Sequence, residues 1–449
     1  MNEAEAPKLA HRLEFAVFRL LETLAGLASM EACAGFGGLL GSLFRLASRR
    51  YRCLVRRNLR IATATDPLSP RELDALIAET FRRAGANFLC GFHSAVLPAE
   101  ELRAHFELRN EAMVIRKTGE PGLVVVLAHQ GNWEVLVRIA RLIDGLESFG
   151  AVYRPLNNPL IDRLTHRRRT ADGARLFSRR DGFHAPIGLL RAPGSLGVLA
   201  DQRAGGRGIP LPFFGKMTSC TPLPDLMARR ARAEVATAAL VSTADGSWRV
   251  EFTNHGPSGG AAAIMRELEQ AMRRSLPDVF WFHDRWRTDS RRPLSFFAPF
   301  DPEVARGATV PLRVLLTMPE GEDEGAQVLI ESMLERRPDL RIEWLTESKR
   351  GAPDPRVHLH AWDRSLPPEQ EGGLVERIDE AHPAPLDAGL LFGGTREIAR
   401  ALRRRGVRSI VGIGAAKKPW THGFDRPENA GEWRRITAEM ARVPSHDPE

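Results

Sequence analysis

The segment with the most chemical content is His129-Gln130-Gly131-Asn132-Trp133-Glu134. A histidine and a carboxylate that meet form a general base with a charge-stabilising partner. The imidazole removes a proton from a hydroxyl, and the carboxylate steadies the imidazolium that results. When the substrate carries the hydroxyl, the enzyme need supply no nucleophile. Positions five apart on one continuous helix point away from each other, so His129 and Glu134 converge only if the chain turns between them. Its surroundings predict such a turn. Residues 122–128 (GLVVVLA) are a continuous apolar run, the pattern of a strand buried on both faces. Gly131 permits a sharp bend. Residues 133–144 have helical spacing, with Leu136, Val137, Ala140 and Ile143 as the apolar positions. Strand, turn and helix put His129 at the carboxyl end of a strand, where α/β proteins place their sites.

The elements that must hold this loop are legible in the same way. Strands are expected at 148–153, 196–200, 234–241 and 249–254, with helical stretches between several of them. This is an α/β pattern up to about residue 298. Ser69-Pro70-Arg71-Glu72 is a capping box with proline at the first helical position, and a helix should run from there to about Asn87. The stretch from Phe296 to Pro302 reads as a joint, after which the chain restarts. Strands at 312–318, 341–346, 389–392 and 409–413, with helices at 324–337 and 395–405, predict a second, smaller doubly wound α/β unit. Residues 349–371 read mostly as loop and 443–449 as a frayed tail.

Composition narrows the class. With 449 residues, 43% hydrophobic and 27% charged, the chain is globular and long enough for two or three domains. Disorder, collagen and coiled coil are excluded as the main architecture. The net charge of +8 is uneven: residues 301–449 hold 22 basic and 26 acidic side chains, and residues 1–300 hold 42 and 30. An anionic ligand is therefore expected at the first 300 residues. The four cysteines, Cys33, Cys53, Cys90 and Cys220, form no CxxC pair and predict buried free thiols, with no metal site. Glu3, Glu5 and Glu14 sit where a cleavable signal would be basic. Residues 23–44 carry one charge, Glu31. A mid-stretch carboxylate is costly in lipid, so a helix or helical hairpin lying in one leaflet is expected rather than a span. Six arginines follow within residues 49–60 (Arg49, Arg50, Arg52, Arg56, Arg57 and Arg60). After an apolar segment they read as an anchor to an anionic membrane surface. With one aromatic among them and no nucleic-acid motif, nucleic acid is not an expected partner.

The His129–Glu134 segment resembles the HxxxxD/E motif of the glycerolipid-type acyltransferase superfamily, and its NWE ending resembles the bacterial lipid A late acyltransferases. Further matches are Arg56-Arg57-Asn58-Leu59, Tyr153-Arg154-Pro155, Asn157-Asn158-Pro159, Asp201-Gln202, Pro212-Phe213-Phe214-Gly215 and Thr221. The His283-Asp284-Arg285-Trp286-Arg287-Thr288 stretch is similar to that family's closing motif, with Asp284 where a basic residue is usual. The resemblance covers about residues 12–298. It implies acyl transfer from acyl carrier protein to a hydroxyl of a lipid A precursor or similar glycolipid, at the cytoplasmic face of a bacterial inner membrane and without a cofactor. His129 would be the base and Glu134 its partner. Asn132, Arg154, Arg168, Asp201, Gln202 and Arg285 are the candidate substrate-binding residues, since arginine forks suit phosphate and Asp201 and Gln202 follow a strand.

The expected architecture is a membrane-associating helical segment with its basic stretch (1–60), an acyltransferase-type α/β domain (61–298) and an accessory α/β domain (305–442). The accessory part faintly resembles half of a heptosyltransferase, and Phe392-Gly393-Gly394-Thr395 in it reads as a tight turn that could cradle an anion. Another phospholipid or glycolipid is the alternative acceptor for the acyl transfer. A glycosyltransferase with an N-terminal anchor and a non-catalytic envelope scaffold are the alternative readings. The missing half weighs against the first, and the intact His129 and Glu134 against the second. On this reading a chain ending near Pro299 keeps acyltransferase activity.

Overall fold

A computed structural model describes residues 8–171, 173–178, 182–295, 302–319, 321–347, 351–363, 365, 367–413 and 420–442. Most of the expected joint and the expected tail lie outside these residues. The strands, in chain order, are β1 (Phe106–Arg109), β2 (Leu123–Leu127), β3 (Phe149–Tyr153), β4 (Arg175–Ser178), β5 (Ser195–Leu199), β6 (Ile209–Phe213), β7 (Lys216–Cys220), β8 (Glu234–Ala244), β9 (Ser247–Pro257), β10 (Leu312–Thr317), β11 (Leu340–Thr346), β12 (Val357–Ala361), β13 (Ala388–Leu391), β14 (Ser409–Ile413) and β15 (His422–Phe424). The first four helices are α1 (Leu9–Gly26), α2 (Met30–Ala47), α3 (Arg49–Ala62) and α4 (Pro70–Ser94). The chain forms two compact units. One comprises residues up to Arg49, Asp74–Asp201 and Pro222–Phe280; the other comprises Arg50–Leu73, Gln202–Thr221 and the chain from Trp281 onward.

The first unit is built on a seven-stranded sheet in the order β1-β9-β8-β2-β5-β3-β4. It is parallel except for the β8–β9 hairpin. Strand β2 lies between β8 and β5, and all five of its residues are buried. That central place is why its sequence is apolar throughout rather than alternating. Its core includes Leu123, Val125, Leu127, Leu136, Ile139, Phe149, Leu240, Trp248 and Phe252.

The apolar N-terminal stretch is a helical hairpin, α1 and α2. Ser29 caps α2, its hydroxyl accepting from Ala32 N at 3.2 Å. Glu31 therefore occupies the first turn of α2, where a carboxylate complements the exposed amides, and not the middle of a long apolar helix. Its own backbone amide and the Ser29 hydroxyl hold its pKa below the ordinary carboxylate value. The glycines of α2 serve close approach. A Cβ on Gly37 would stand 2.4 Å from Gly85 O of α4, and one on Gly41 would stand 2.1 Å from Phe81 O. Among the described residues no helix is long and apolar enough to cross a membrane. Even so, Leu9, Leu13, Val17, Leu20 and Leu24 of α1 and Phe36, Leu39, Leu40 and Leu43 of α2 are exposed. The α1 set recurs at intervals of three and four, so it forms one stripe.

The second unit holds a six-stranded sheet in the order β12-β11-β10-β13-β14-β15, parallel throughout. Counting from β10, this is the 3-2-1-4-5-6 order of a doubly wound sheet. Strand β12 and the start of the helix Pro368–Glu380 occupy the stretch expected to be loop. At Thr395, which caps the helix Arg396–Arg404 by accepting from Ile398 N, the hydroxyl also donates to the buried Glu371 carboxylate. A carboxylate of the protein thus already stands at that helix start. The β6–β7 hairpin, α3 and the Trp281–Ser295 stretch belong to this unit.

Two of the arginines expected at a membrane surface are spent inside this unit. Arg57 is buried, with Nη2 2.5 Å from Asp387 Oδ1. Lys216 reaches the other Asp387 oxygen at 2.8 Å. Arg60 pairs with Asp379 at 2.7 Å, as does Arg405. Asp284, the residue that departs from the family's closing motif, accepts from Arg408 at 2.8 Å.

Candidate active site

His129 follows β2 directly, and its loop is tied down residue by residue. Phe280 N donates to His129 O at 2.8 Å, and Gly131 N donates to Asp278 O at 2.9 Å. The buried Gln130 side chain donates to Met272 O and Ser275 O, and its carbonyl accepts from Leu240 N. Gly131 has φ +57°, and a Cβ there would meet Leu240 Cγ at 2.9 Å. Both the left-handed backbone and the close packing require glycine. The expected helix after the loop begins instead as a 3₁₀ stretch, Trp133–Arg138, followed by one α turn, Ile139–Leu142. Glu134 lies in the first turn of that 3₁₀ stretch.

Parallel pairing of β2 with β5 sets Leu127 beside Leu199. The two strands end side by side, and so the residues just beyond them meet: His129 Nδ1 is 2.7 Å from Asp201 Oδ1. Asp201 is buried, while the His129 side chain keeps 18% of its surface exposed. With Nδ1–H donating to the carboxylate, the ring's lone pair is on Nε2, the atom that can take a proton. Burial disfavours the charged ring. The Asp201 carboxylate, and more weakly the charge of Glu134, outweighs it and lifts the His129 pKa above the ordinary imidazole value. Asp201, expected among the substrate-binding residues, is the carboxylate that the structure places on His129 Nδ1. Glu134 contributes charge, and its Oε2 accepts from Arg169 Nη2 at 2.5 Å.

A pocket of about 220 Å³ opens beside the loop. Phe18, Phe88, Phe92, Ala95, Trp133 and Val135 are among its walls, and Glu22, Glu134, Arg168 and Arg169 also line it. The helix Pro159–Ala171 supplies both arginines. Arg168 grips the buried Glu22 of α1 through both terminal nitrogens, and Arg169 holds Glu134. Asn132 is buried in the pocket wall, its Nδ2 donating to Ser94 Oγ at 2.8 Å. Arg154 is exposed just after β3.

Gln202 and Arg285 are in the other unit. Gln202 is its exposed first residue after Asp201. Arg285 is 1% exposed and bonds Thr218 Oγ1 at 3.0 Å and Ser219 O at 2.8 Å, with its guanidinium 4.6 Å from the Phe213 ring centre. Its forks are committed to the β6–β7 hairpin, which makes it a strut of this unit. Gly256-Pro257-Ser258-Gly259-Gly260 has the G-x-S-x-G spacing of a serine-hydrolase elbow. Here Ser258 Oγ donates to Asp225 at 2.8 Å and accepts from Gly260 N at 3.1 Å. It shapes the turn before the helix Ala261–Arg273.

His129 and the buried Asp201 carboxylate meet at the end of a central parallel strand, an arrangement with the chemistry to activate a hydroxyl that a substrate supplies. The model of the bacterial lipid A biosynthesis acyltransferase family matches residues 6–288, well over half of the chain, and the chain belongs to that family. It is an acyltransferase. A lipid A biosynthesis acyltransferase of Haemophilus influenzae is 25% identical over 273 residues, which cover 58% of this chain and 85% of that protein. The matched region contains the whole loop and Asp201, and it takes segments from both units.

Proposed function

We propose that this protein moves a fatty acyl chain from acyl carrier protein to a hydroxyl of a lipid A precursor or a closely similar glycolipid. The observation that carries the mechanism is the 2.7 Å contact between His129 and Asp201 at the mouth of β2. His129 Nε2 takes the proton of the acceptor hydroxyl as its oxygen attacks the thioester carbonyl. The C–O bond forms, the C–S bond breaks, and the carrier thiol leaves with the proton from Nε2. Asp201 and Glu134 stabilise the imidazolium in between. The pocket walled by Phe18, Phe88, Phe92 and Val135 suits a hydrocarbon chain. The exposed stripe of α1 and the apolar side chains of α2, flanked by Arg12, Arg19, Arg45 and Arg49, support docking on an anionic inner-membrane surface at its cytoplasmic face.

The test is turnover of purified protein with an acyl-carrier thioester and a lipid A precursor, with the product mass read by mass spectrometry. His129→Ala should lose about 10²–10⁴-fold in rate with the fold intact. Near-normal turnover in folded His129→Ala would overturn the mechanism. A wild-type enzyme that transfers no chain to the glycolipid would overturn the acceptor.

A further inference from the structure

Three distant segments of the chain meet in the second unit: α3 from Arg50 onward, the stretch 281–288, and the end of the helix Arg396–Arg404 with the turn after it. Cys53 of α3 lies against that helix end, its Sγ 3.6 Å from Arg404 O. Asn58 Nδ2 donates to Trp281 O and His283 O at 2.9 Å each, and the rings of Tyr51 and Phe282 are 5.9 Å apart. Arg408 joins the other two segments by donating to Asp284 at 2.8 Å. Residues 50–56, 281–288 and 400–408 together hold ten arginines and one acid, Asp284. Two of the ten are used inside the unit, Arg285 in the β6–β7 hairpin and Arg405 on Asp379. Arg287, Arg403, Arg404 and Arg408 are exposed, and Arg52 and Arg56 are half-buried. Glu397, just outside these segments, accepts from Arg404 at 2.7 Å. A large excess of positive charge remains. It is also crowded: Arg403 Nη1 donates to Arg408 O at 2.7 Å, so two guanidinium side chains share one turn. Like charges held side by side repel, and an anionic surface brought against them relieves that repulsion.

An anionic bilayer and an acidic protein both match a basic surface, and the apolar side chains decide between them. Among the described residues, every large apolar side chain that is exposed belongs to the first unit. A stable bilayer contact combines apolar insertion with charge, and this surface offers charge alone. A water-soluble acidic protein needs only the complementary charge, which sets its encounter rate and its orientation. We infer that this surface of the second unit docks a small acidic protein, and that the protein is the acyl carrier. The partner's identity rests on the acyl-transfer reading above; the surface and its sign of charge do not. Residues 400–408 lie beyond the 6–288 that the family model matches, so the C-terminal sheet supplies its own half of the docking surface.

The experiment uses the full chain and two donors bearing the same acyl group, one on the acyl carrier and one as a free pantetheine thioester. Arg52→Glu with Arg404→Glu should raise KM for the carrier-borne donor about tenfold or more, since electrostatic steering contributes about 10–10³-fold to association. The kcat at saturation and turnover of the free thioester should match the wild type. Arg52→Lys with Arg404→Lys keeps the charge and should keep KM near the wild-type value. If the reversed variant fails to fold, salt makes the same test on the wild type: KM for the carrier-borne donor should climb with added salt while the free thioester stays level. An unchanged carrier KM in the folded reversed variant, or one indifferent to salt, would overturn the inference. So would weakened binding of that variant to anionic vesicles with carrier binding intact, which assigns the surface to the bilayer. Surface plasmon resonance on immobilised carrier separates this inference from the reading beneath it. Carrier bound by the wild type and lost in the reversed variant, with no acyl transfer to glycolipid, would sink acyl transfer and leave the docking surface standing. Equal carrier binding by both proteins, with transfer intact, would do the opposite.

Discussion

Asp387 is the place where the C-terminal sheet can be tested as part of the acyltransferase rather than an appendage to it. Its carboxylate is buried and receives Arg57 at 2.5 Å, Lys216 at 2.8 Å and the backbone amide of Arg313 at 2.8 Å. Burial alone would neutralise the acid, but Lys216 and Arg57 outweigh that and hold its pKa below the usual carboxylate value. Asp387→Ala leaves two cations buried without their counter-charge. Removing one partner of a buried pair costs about 3–5 kcal/mol, against a total stability of about 5–15 kcal/mol for a typical protein. Two stranded cations place this variant at the upper end. Asp387→Asn, which keeps shape and one acceptor oxygen, should be milder. Replacing all three side chains together by apolar groups of similar size should recover most of the loss, because it is the uncompensated charge that is expensive. Urea titration followed by circular dichroism measures each variant. The same geometry bears on truncation. A chain ending near Pro299 removes Asp387 and Asp379 but keeps Arg57, Arg60 and Lys216, so it should misfold, contrary to the expectation from sequence that such a chain stays active. Asp387→Ala within about 1 kcal/mol of wild type, or a soluble, active chain ending at residue 299, would refute the argument.

Asp201→Asn should cut the rate and shift its pH profile. The neutral imidazole is the active form, and Asp201 holds the His129 pKa above the ordinary value. Removing that charge lets burial act with less opposition, the pKa falls, and the acid limb of kcat/KM moves to lower pH; an unmoved limb would show that His129 is not the titrating base. Leu13→Ser, Val17→Ser and Leu20→Ser together remove part of the exposed α1 stripe. At up to about 1.5–3 kcal/mol per fully buried side chain, they should markedly lower recovery on anionic vesicles, and undiminished sedimentation with the vesicles would rule out that face as the contact.

Much of this protein is legible in its sequence where the signal is local. The run at 122–128 became β2 because a strand covered on both faces has no position for a polar residue. Ser69 and Glu72 close their capping box as written, with Ser69 N donating to Glu72 at 2.8 Å, although α4 continues to Ser94 because tertiary packing extends it. The strand expected at 409–413 is β14, and Gly131 makes the sharp bend expected after β2. Other features depend on partners far away in the chain. Asp201 meets His129 only because β5 was laid beside β2, and strand order is not written in either strand. The arginines at 57 and 60 look the same in sequence as those at 49 and 50. Their burial was decided by Asp387 and Asp379, more than 300 residues on. A charge shows its type in the sequence, but the dielectric around it and the identity of its partner exist only once the chain has folded.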